Sequence, residues 1–286
     1  ETKESIAIVW YKRDLRIHDH APLSQAAELA DMGVKVLPVY IVEPEYWQLP
    51  DSSARHWQFI CHSLIELNTA LNKLGQGLLI ESGNAVDVLE QLAQRFMVVS
   101  LHSHQESGNL WTYQRDKNVM VWCIKNRIKW HEHEAYGVFR RFNDRDHWAG
   151  YWEMYMARTK AIAPNSLVPI NTELPAFALP ELALPKLEDD ELQHIQRGGR
   201  SEALTLFASF VGERGRNYSS GMSSPLSAAT SCSRLSPHIS FGTISMREIV
   251  QKCRKLLKNK DLNTTWKRAL RSFDSRLHWH CHFIQK

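Results

Sequence analysis

A short apolar run near the start of the chain, Ile6-Ala-Ile-Val-Trp10, decides the fold. Consecutive apolar residues without alternation are typical of a β-strand that is buried on both faces of a sheet. Similar runs follow at 36–42, 78–80, 97–101 and 128–130. Between them, residues 52–74 and 85–96 repeat apolar side chains at helical spacing. Strands that alternate with helices in this way predict an α/β domain with a Rossmann-like, doubly wound parallel sheet.

Sheets of this class bind ligands beyond the carboxyl ends of their strands. The first strand is followed by Tyr11-Lys-Arg-Asp-Leu-Arg-Ile-His-Asp-His20 instead of a G-x-G-x-x-G sequence. An ordinary nicotinamide-binding site is therefore excluded at this turn. We interpret the charged residues Arg13, Asp14, Arg16 and Asp19 as mutual ion pairs that stabilise the sheet edge, and direct ligand contact is the alternative.

Composition narrows the class of protein. The 286 residues allow two domains, and a formal net charge of +4 is compatible with nucleic-acid binding without requiring it. The five cysteines are scattered without a C-x-x-C pair, which predicts reduced thiols and a cytoplasmic location. No apolar run approaches the roughly 18 residues of a membrane span, and no signal peptide is present. His131-Glu-His-Glu134 places two histidines on one face of a strand, but a third ligand is missing and we assign no metal.

The second half of the chain changes character. Prolines recur at 164, 169, 175, 180 and 185 and precede the acidic cluster Glu188–Glu191, which predicts an extended connector that packs against a domain surface. The predicted organisation is an α/β domain over 1–134, a connector over 135–195 and an all-helical domain over 196–286. Its first helix is assigned Ser201 as N-cap. A second helix, over 245–257, begins with Ser245 and Glu248 in a capping box, and a third runs over 264–283.

A hydroxyl-rich stretch lies between the first two of these helices. It reads Tyr218-Ser-Ser-Gly-Met-Ser-Ser-Pro-Leu-Ser-Ala-Ala-Thr-Ser-Cys-Ser-Arg-Leu-Ser-Pro-His-Ile-Ser-Phe-Gly-Thr243. Hydroxyls and backbone N–H groups in such a segment are suited to hold a phosphate or pyrophosphate, and Arg234 adds positive charge. We predict an ordered loop with this role, and a Ser-rich surface linker is the alternative.

Three segments resemble the photolyase and cryptochrome family. Trp10–Leu23 is similar to the opening signature of that family, Gly137–Trp148 to the passage out of its first domain, and Ser233–Pro237, with Phe241-Gly242 and Ser245 after it, to its flavin-phosphate loop. The resemblance implies an α/β domain that carries an antenna pigment, followed by a linker and a helical FAD-binding domain. It stops at Lys286, inside the family's flavin domain, so we expect the chain to be a fragment.

The resemblance also implies site residues. By motif, the FAD contacts are Tyr218, Cys232, Ser233, Arg234, Leu235, Ser236, Arg276 and His280. Trp279 matches the aromatic residue that stacks on the damaged bases, and it is the expected catalytic residue. Arg276 and His280 stand where the family usually has Glu and Arg.

The implied function is light-dependent repair by a deoxyribodipyrimidine photolyase-like carbon–carbon lyase, in which reduced FAD passes an electron to a pyrimidine dimer. A cryptochrome-like photoreceptor without repair activity is the alternative, and an inactive fragment is a third possibility. UV-damaged DNA is the expected partner, no membrane is involved, and a monomer is expected.

The second pigment implied by the resemblance is not expected to be a folate. Trp111 and Thr112 stand where folate-type members carry an Asn-Glu pair, although Arg115-Asp116 is present. A deazaflavin, flavin or lumazine is favoured instead, with Glu106, Asn109 and Trp111 as candidate contacts.

Overall fold

The computed structural model describes residues 3–182, 184 and 195–286. The chain divides into two compact units, one of Glu1–His133 with Ala161–Gly199 and one of Glu134–Lys160 with Arg200–Lys286. This division differs from the predicted connector over 135–195. Residues up to 160 join the second unit because Trp148 and Trp152 are buried in its core. Pro185 and the acidic cluster Glu188–Glu191 lie outside the described residues.

The first unit is built on a five-stranded sheet in the order β3-β2-β1-β4-β5, in which every neighbouring pair is parallel. The strands are β1 (Ser5–Tyr11), β2 (Lys35–Val42), β3 (Leu79–Ser82), β4 (Met97–His104) and β5 (Lys129–His133). The central strand β1 is buried from Ile6 to Tyr11, as its apolar run predicts. The predicted fold class is confirmed.

Five helices connect the strands: α1 (Ala21–Ala27), α2 (Pro44–Trp47), α3 (Ala54–Leu74), α4 (Ala85–Arg95) and α5 (Leu110–Lys125). Helices α3 and α4 match the predicted periodic segments. Helix α5 was not predicted, because its buried face includes the charged residues Arg115 and Asp116, which interrupt the apolar stripe. Asn109 caps α5, since its side chain accepts a hydrogen bond from the N–H of Thr112.

The described part of the proline-rich connector packs along the first unit. The N–H of Leu167 donates to the carbonyl of Leu74 (2.6 Å), and the N–H of Ile170 donates to Gln76 Oε1 (2.8 Å). At the end of the unit, Gly198 approaches α3 so closely that a Cβ would lie 1.9 Å from the carbonyl oxygen of Phe59. Only glycine allows this approach.

The second unit is helical. Its helices are α6 (Trp148–Ala157), α7 (Arg200–Gly212), α8 (Tyr218–Gly221), α9 (Pro225–Ser231), α10 (Ser236–Ser240), α11 (Met246–Leu257) and α12 (Thr264–Gln285). The capping box of Ser245 and Glu248 at α11 is confirmed. The N-cap assigned to Ser201 is wrong, because the left-handed turn at Gly199 (φ +110°) starts α7 at Arg200 and leaves Ser201 inside the first turn.

The hydroxyl-rich stretch folds mainly into short helices instead of an extended loop. Pro225 and Pro237 lie in the first turns of α9 and α10, where a missing N–H costs nothing and the fixed φ favours the helix. Leu235 and Ile239 bury this region in the core of the second unit. Across the described ranges, each helix is too short or too polar to cross a bilayer.

Candidate functional site

The carboxyl edge of the sheet collects charged side chains. The chain reverses its order of strands between β1 and β4, and such a switch point opens a crevice beyond the strand ends. Polar residues follow the strands that meet there. Together with two residues of α5 they form what we name the sheet-edge cluster: Lys12, Arg13, Glu43, Glu106, Arg115 and Asp116.

Arg115 is the centre of the sheet-edge cluster. Its guanidinium binds the carboxylates of Glu43 (2.8 Å), Glu106 (2.5 Å) and Asp116 (2.9 Å). Burial raises the pKa of Glu43 to about 7, against the opposing attraction of Arg115. Burial also opposes the ionisation of Glu106, but Arg115, Lys12 and Arg13 hold its pKa below the usual value.

Flat rings and unpartnered polar atoms line the same region. Lys12 and Arg115 lie over the Trp10 ring at 4.6 Å and 4.8 Å, and Tyr46 packs against Trp111 at 5.7 Å between ring centroids. Three buried polar atoms near this edge have no hydrogen-bond partner among the described residues: Lys12 Nζ, Glu43 Oε1 and Gln105 Oε1. Because such atoms are costly when unsatisfied, they indicate a place where a polar ligand or water binds.

In the charged turn after β1, Arg16 donates to the carbonyl oxygen of Asp19 (2.9 Å), whereas Asp14 and Arg13 bind partners outside the predicted set. Asp14 accepts hydrogen bonds from His20 Nε2 and His104 at 2.7 Å each, and from the N–H of Lys12 at 2.8 Å. Arg13 binds Glu106 (3.2 Å) and donates to the hydroxyl of Tyr46 (2.7 Å). The sequence could not identify these partners because His104 and Glu106 lie about 90 residues away along the chain.

Asp14, His20 and His104 are spaced closely enough to hold a metal ion. The hydrogen bonds oppose this role. His20 Nδ1 accepts the N–H of Leu23, so its proton is on Nε2, the atom that faces Asp14. A metal at Nε2 would then require a fully deprotonated imidazole, whereas metal-binding histidines usually donate their second N–H. We interpret the three residues as a hydrogen-bonded link between α1 and the sheet.

The two histidines singled out on β5 have other contacts. The His131 ring stacks on His102 (4.6 Å between centroids), and His133 hydrogen-bonds with Gln25 (3.0 Å). Neither belongs to a three-ligand group among the residues that the structure describes.

The second candidate site lies in the helical unit. We name the segment Cys232–Ser236 the hydroxyl loop. Leu235 is fully buried, Cys232 and Ser233 are half-buried, and Arg234 and Ser236 are exposed. Arg234 has a left-handed backbone (φ 63°), which is uncommon for a residue other than glycine. The loop therefore anchors its leucine in the core and presents its polar groups at the surface.

Tyr218 comes close to the hydroxyl loop through the folding of α8. Its ring packs edge-on against Phe210 and Phe273, at 5.6 Å in each case. Burial raises the pKa of Tyr218, Cys232 raises it further, and Arg276 opposes both effects. Two other predicted contacts, Cys232 and Arg276, are thus near enough to Tyr218 to influence it electrostatically.

Helix α12 carries the remaining predicted residues. Trp279 is 49% exposed, and the Arg276 guanidinium lies 5.0 Å from its ring centroid. His280 is half-buried, faces the ring of Tyr136 at 6.2 Å, and has a pKa that burial lowers. One turn of α12 therefore presents a half-exposed aromatic ring with a cation over it.

Sequence reasoning missed two sets of residues. The first is Lys12 and Glu43, two buried charged residues that pair with Asp116 and Arg115; their positions directly after buried strands could have indicated them. The second is Arg214, in the 3₁₀ turn Arg214–Asn217, whose guanidinium contacts the hydroxyl loop. No local pattern distinguishes this arginine from Arg216, which lies two residues further along the chain.

The sequence of this chain is similar to those of known proteins. Residues 7–142 match the family model of the DNA photolyase domain. The blue-light photoreceptor PHR2 of Arabidopsis thaliana is 25% identical over 91% of this chain and 63% of its own length. The deoxyribodipyrimidine photo-lyase of Agrobacterium fabrum is 28% identical over 85% of this chain and 52% of its own length.

A solved structure shares this fold. An archaeal photolyase from Sulfolobus tokodaii, described with two FAD molecules, superposes on 98% of this chain and 59% of its own chain, with a TM-score of 0.68 and 24% identity. At this level of identity the likeness shows the fold. The chain thus spans between half and two thirds of the length of these proteins.

Proposed function

We propose that this chain, whose residues 7–142 are a DNA photolyase domain and which is homologous to photolyases and cryptochromes, serves in light-dependent DNA repair. The proposed activity is that of a deoxyribodipyrimidine photolyase-like carbon–carbon lyase. One observation carries the proposal: the hydroxyl loop, with Arg214 and Arg234 at it, forms a basic, hydroxyl-rich site in a chain with that domain. Activity, substrate and partner of the whole protein are part of the proposal.

The residues present fit FAD as the cofactor. Hydroxyls of Ser233 and Ser236, backbone N–H groups and guanidinium groups are the donors that a pyrophosphate prefers. We assign the FAD contacts to Tyr218, to residues 232–236, and to Arg276 and His280. When bound in its reduced form, FAD supplies the electron that splits the dimer. The protein holds the phosphates, positions the ligand and excludes water.

Trp279 is proposed to bind the damaged bases of DNA. Its exposed ring offers a stacking surface, and stacking on an aromatic side chain contributes about 1–3 kcal/mol per base. The positive charge of Arg276 near this ring supports attraction of the phosphates of the same strand. We further propose a monomer in the cytoplasm, and the five free cysteines support a reducing compartment.

The sheet-edge cluster is proposed to hold a second, antenna chromophore. Lys12 Nζ, which pairs with Asp116 at 3.8 Å but makes no hydrogen bond, is a donor, and the Glu43 and Gln105 oxygens are acceptors. Trp111 adds a flat ring. These groups suit a flat polar heterocycle of the deazaflavin, flavin or lumazine class. Thr112 is buried and donates to the carbonyl of Asn109, so it does not supply the acidic contact of a folate site.

A cryptochrome-like photoreceptor without repair activity is the second candidate. It is favoured by the relative named as a blue-light photoreceptor, which matches 91% of this chain. Both candidates need the flavin site, so flavin binding does not separate them.

The first test is the absorption spectrum of the purified chain, followed by chromatography of the pigments that denaturation releases. We expect FAD, and a second pigment would identify the antenna. The decisive test is the light-dependent loss of cyclobutane dimers from UV-irradiated oligonucleotides, with Trp279→Ala as the variant and Trp266→Ala as its matched control on α12. Repair that depends on light and on Trp279 supports the proposal. Bound flavin without repair favours the photoreceptor, and a colourless protein contradicts both.

A further inference from the structure

Arg214 joins helix α7 to the hydroxyl loop. One side of its guanidinium donates to Leu206 O (3.1 Å) and Ser209 Oγ (2.9 Å) on α7. The other side donates to the carbonyl oxygens of Cys232 and Ser233, the second at 3.1 Å. A single side chain therefore holds two consecutive peptide groups of the loop against a helix. The planar fork of arginine suits this arrangement, and a lysine ammonium lacks it.

These bonds determine where the loop's N–H groups face. In a trans peptide the carbonyl and the N–H that follows it point in opposite directions, and the described backbone has no cis peptide. Because the carbonyls of Cys232 and Ser233 face Arg214, the N–H groups of Ser233 and Arg234 face away from it. Left-handed Arg234 (φ 63°) is followed by right-handed Leu235 (φ −85°, ψ −5°), the alternation that forms an anion-binding nest.

The charges around Arg214 also favour an anion. Its four hydrogen bonds go to uncharged oxygens, so they leave its positive charge without neutralisation. Burial lowers the pKa of Arg214, and the nearby Arg234 lowers it further. Two like charges at one loop repel each other, and a bound phosphate group relieves that repulsion.

We propose that Arg214 is the positioning residue of the pyrophosphate site: by holding the carbonyls of Cys232 and Ser233, it turns the following N–H groups toward the phosphates of the cofactor. This inference rests on the proposed function, and it specifies which part of the cofactor Arg214 affects. Arg214 acts on ligands that carry phosphates and has little effect on the flavin ring system alone.

The test compares FAD with riboflavin, which lacks the pyrophosphate, by fluorescence titration of the purified chain. For Arg214→Gln we expect FAD binding at least about tenfold weaker and riboflavin binding changed less than about twofold. Arg214→Lys should recover only part of the loss, because a point charge cannot hold two carbonyls at once. Arg216→Gln is the matched control: this residue is exposed in the same 3₁₀ turn, and its FAD affinity should stay within about twofold.

A second measurement tests, without any cofactor, whether Arg214 holds the hydroxyl loop against α7. In a Cys61→Ser background, Cys232 is the one half-buried thiol and the other three cysteines are buried. Arg214 also opposes the rise in the pKa of Cys232, so the rate is expressed per thiolate. On that basis Arg214→Gln should speed the reaction of Cys232 with a thiol reagent at least about threefold, because the loop is released. Equal losses for FAD and riboflavin, unchanged FAD binding, or an unchanged thiol rate in a folded variant would overturn the inference. Wild-type protein that binds no FAD would instead contradict the proposed function. The thiol rate would still show whether Arg214 holds the hydroxyl loop.

Discussion

The two candidate sites handle positive charge in opposite ways. At the sheet edge, Arg115 is surrounded by three carboxylates within the same unit. At the hydroxyl loop, Arg214 binds only uncharged oxygens and lies near a second arginine. The first site neutralises its own cation and offers neutral or balanced polar contacts to a ligand. The second retains a positive potential, which suits a ligand that brings negative charge. The comparison separates a heterocycle site from a phosphate site.

The largest expected effect comes from removing the central cation of the sheet edge. Arg115→Met leaves Glu43, Glu106 and Asp116 buried without their shared partner, which should cost about 3–5 kcal/mol in the free energy of unfolding. Urea unfolding followed by circular dichroism measures this cost. The matched control is Arg158→Met, which breaks a half-exposed pair with Glu134 and should cost less than about 1 kcal/mol. Similar losses of unfolding free energy for both variants would contradict the dependence of the sheet edge on its central cation.

The stability of the hydroxyl loop should depend on its buried apolar side chain, whereas the stability of the sheet edge depends on charge. Leu235→Ala removes a side chain that is 0% exposed and should cost about 2–4 kcal/mol. Ser236→Ala, at the exposed neighbouring position, should change the free energy of unfolding by less than about 0.5 kcal/mol. The same urea unfolding experiment measures both variants. If the two substitutions cost the same, the loop is not anchored by its leucine.

A smaller effect of pH is expected in both units, because burial also lowers the pKa of His278 and His280, and it should be strongest at β4 and β5. Burial lowers the pKa of His102 and His104 to about 3 and that of His133 to about 4, from 6.5. The unfolded chain therefore takes up protons first as the pH falls, so stability decreases below about pH 6.5 and continues to fall toward pH 3–4. We expect β4 and β5 to lose at least about 2 kcal/mol of protection between pH 7 and 5.

Amide hydrogen exchange of β4 and β5, compared with that of α11, measures this difference after correction for the intrinsic rate at each pH. His102→Gln should reduce the acid sensitivity, because it removes one group that must remain neutral in the folded state. If His102→Gln leaves the acid sensitivity of β4 and β5 unchanged, the buried histidines do not set the response.

Part of the fold and of the site was predictable from local pattern. Unbroken apolar runs and helical spacing predicted the strands and helices α3 and α4, because burial on both faces of a sheet requires such runs. The missed helix α5 and the wrong cap at Ser201 have local causes as well. Buried charges hide the stripe of α5, and the left-handed turn at Gly199 moves the start of α7. The hydroxyl loop was found from its motif, and the roles of its residues stay predictions.

What the sequence alone determined is therefore the class of fold, the capping box of α11 and the position of the hydroxyl loop, since each depends on residues that are neighbours along the chain. Only the tertiary structure decided which polar groups meet: Arg115 with Glu43, Asp14 with His104, and Arg214 with the carbonyls of the loop. These partners are 18 to 90 residues apart, and Arg115 is 72 residues from Glu43. Many acids and bases are available to pair at such separations, and the course of the chain through the fold selects among them.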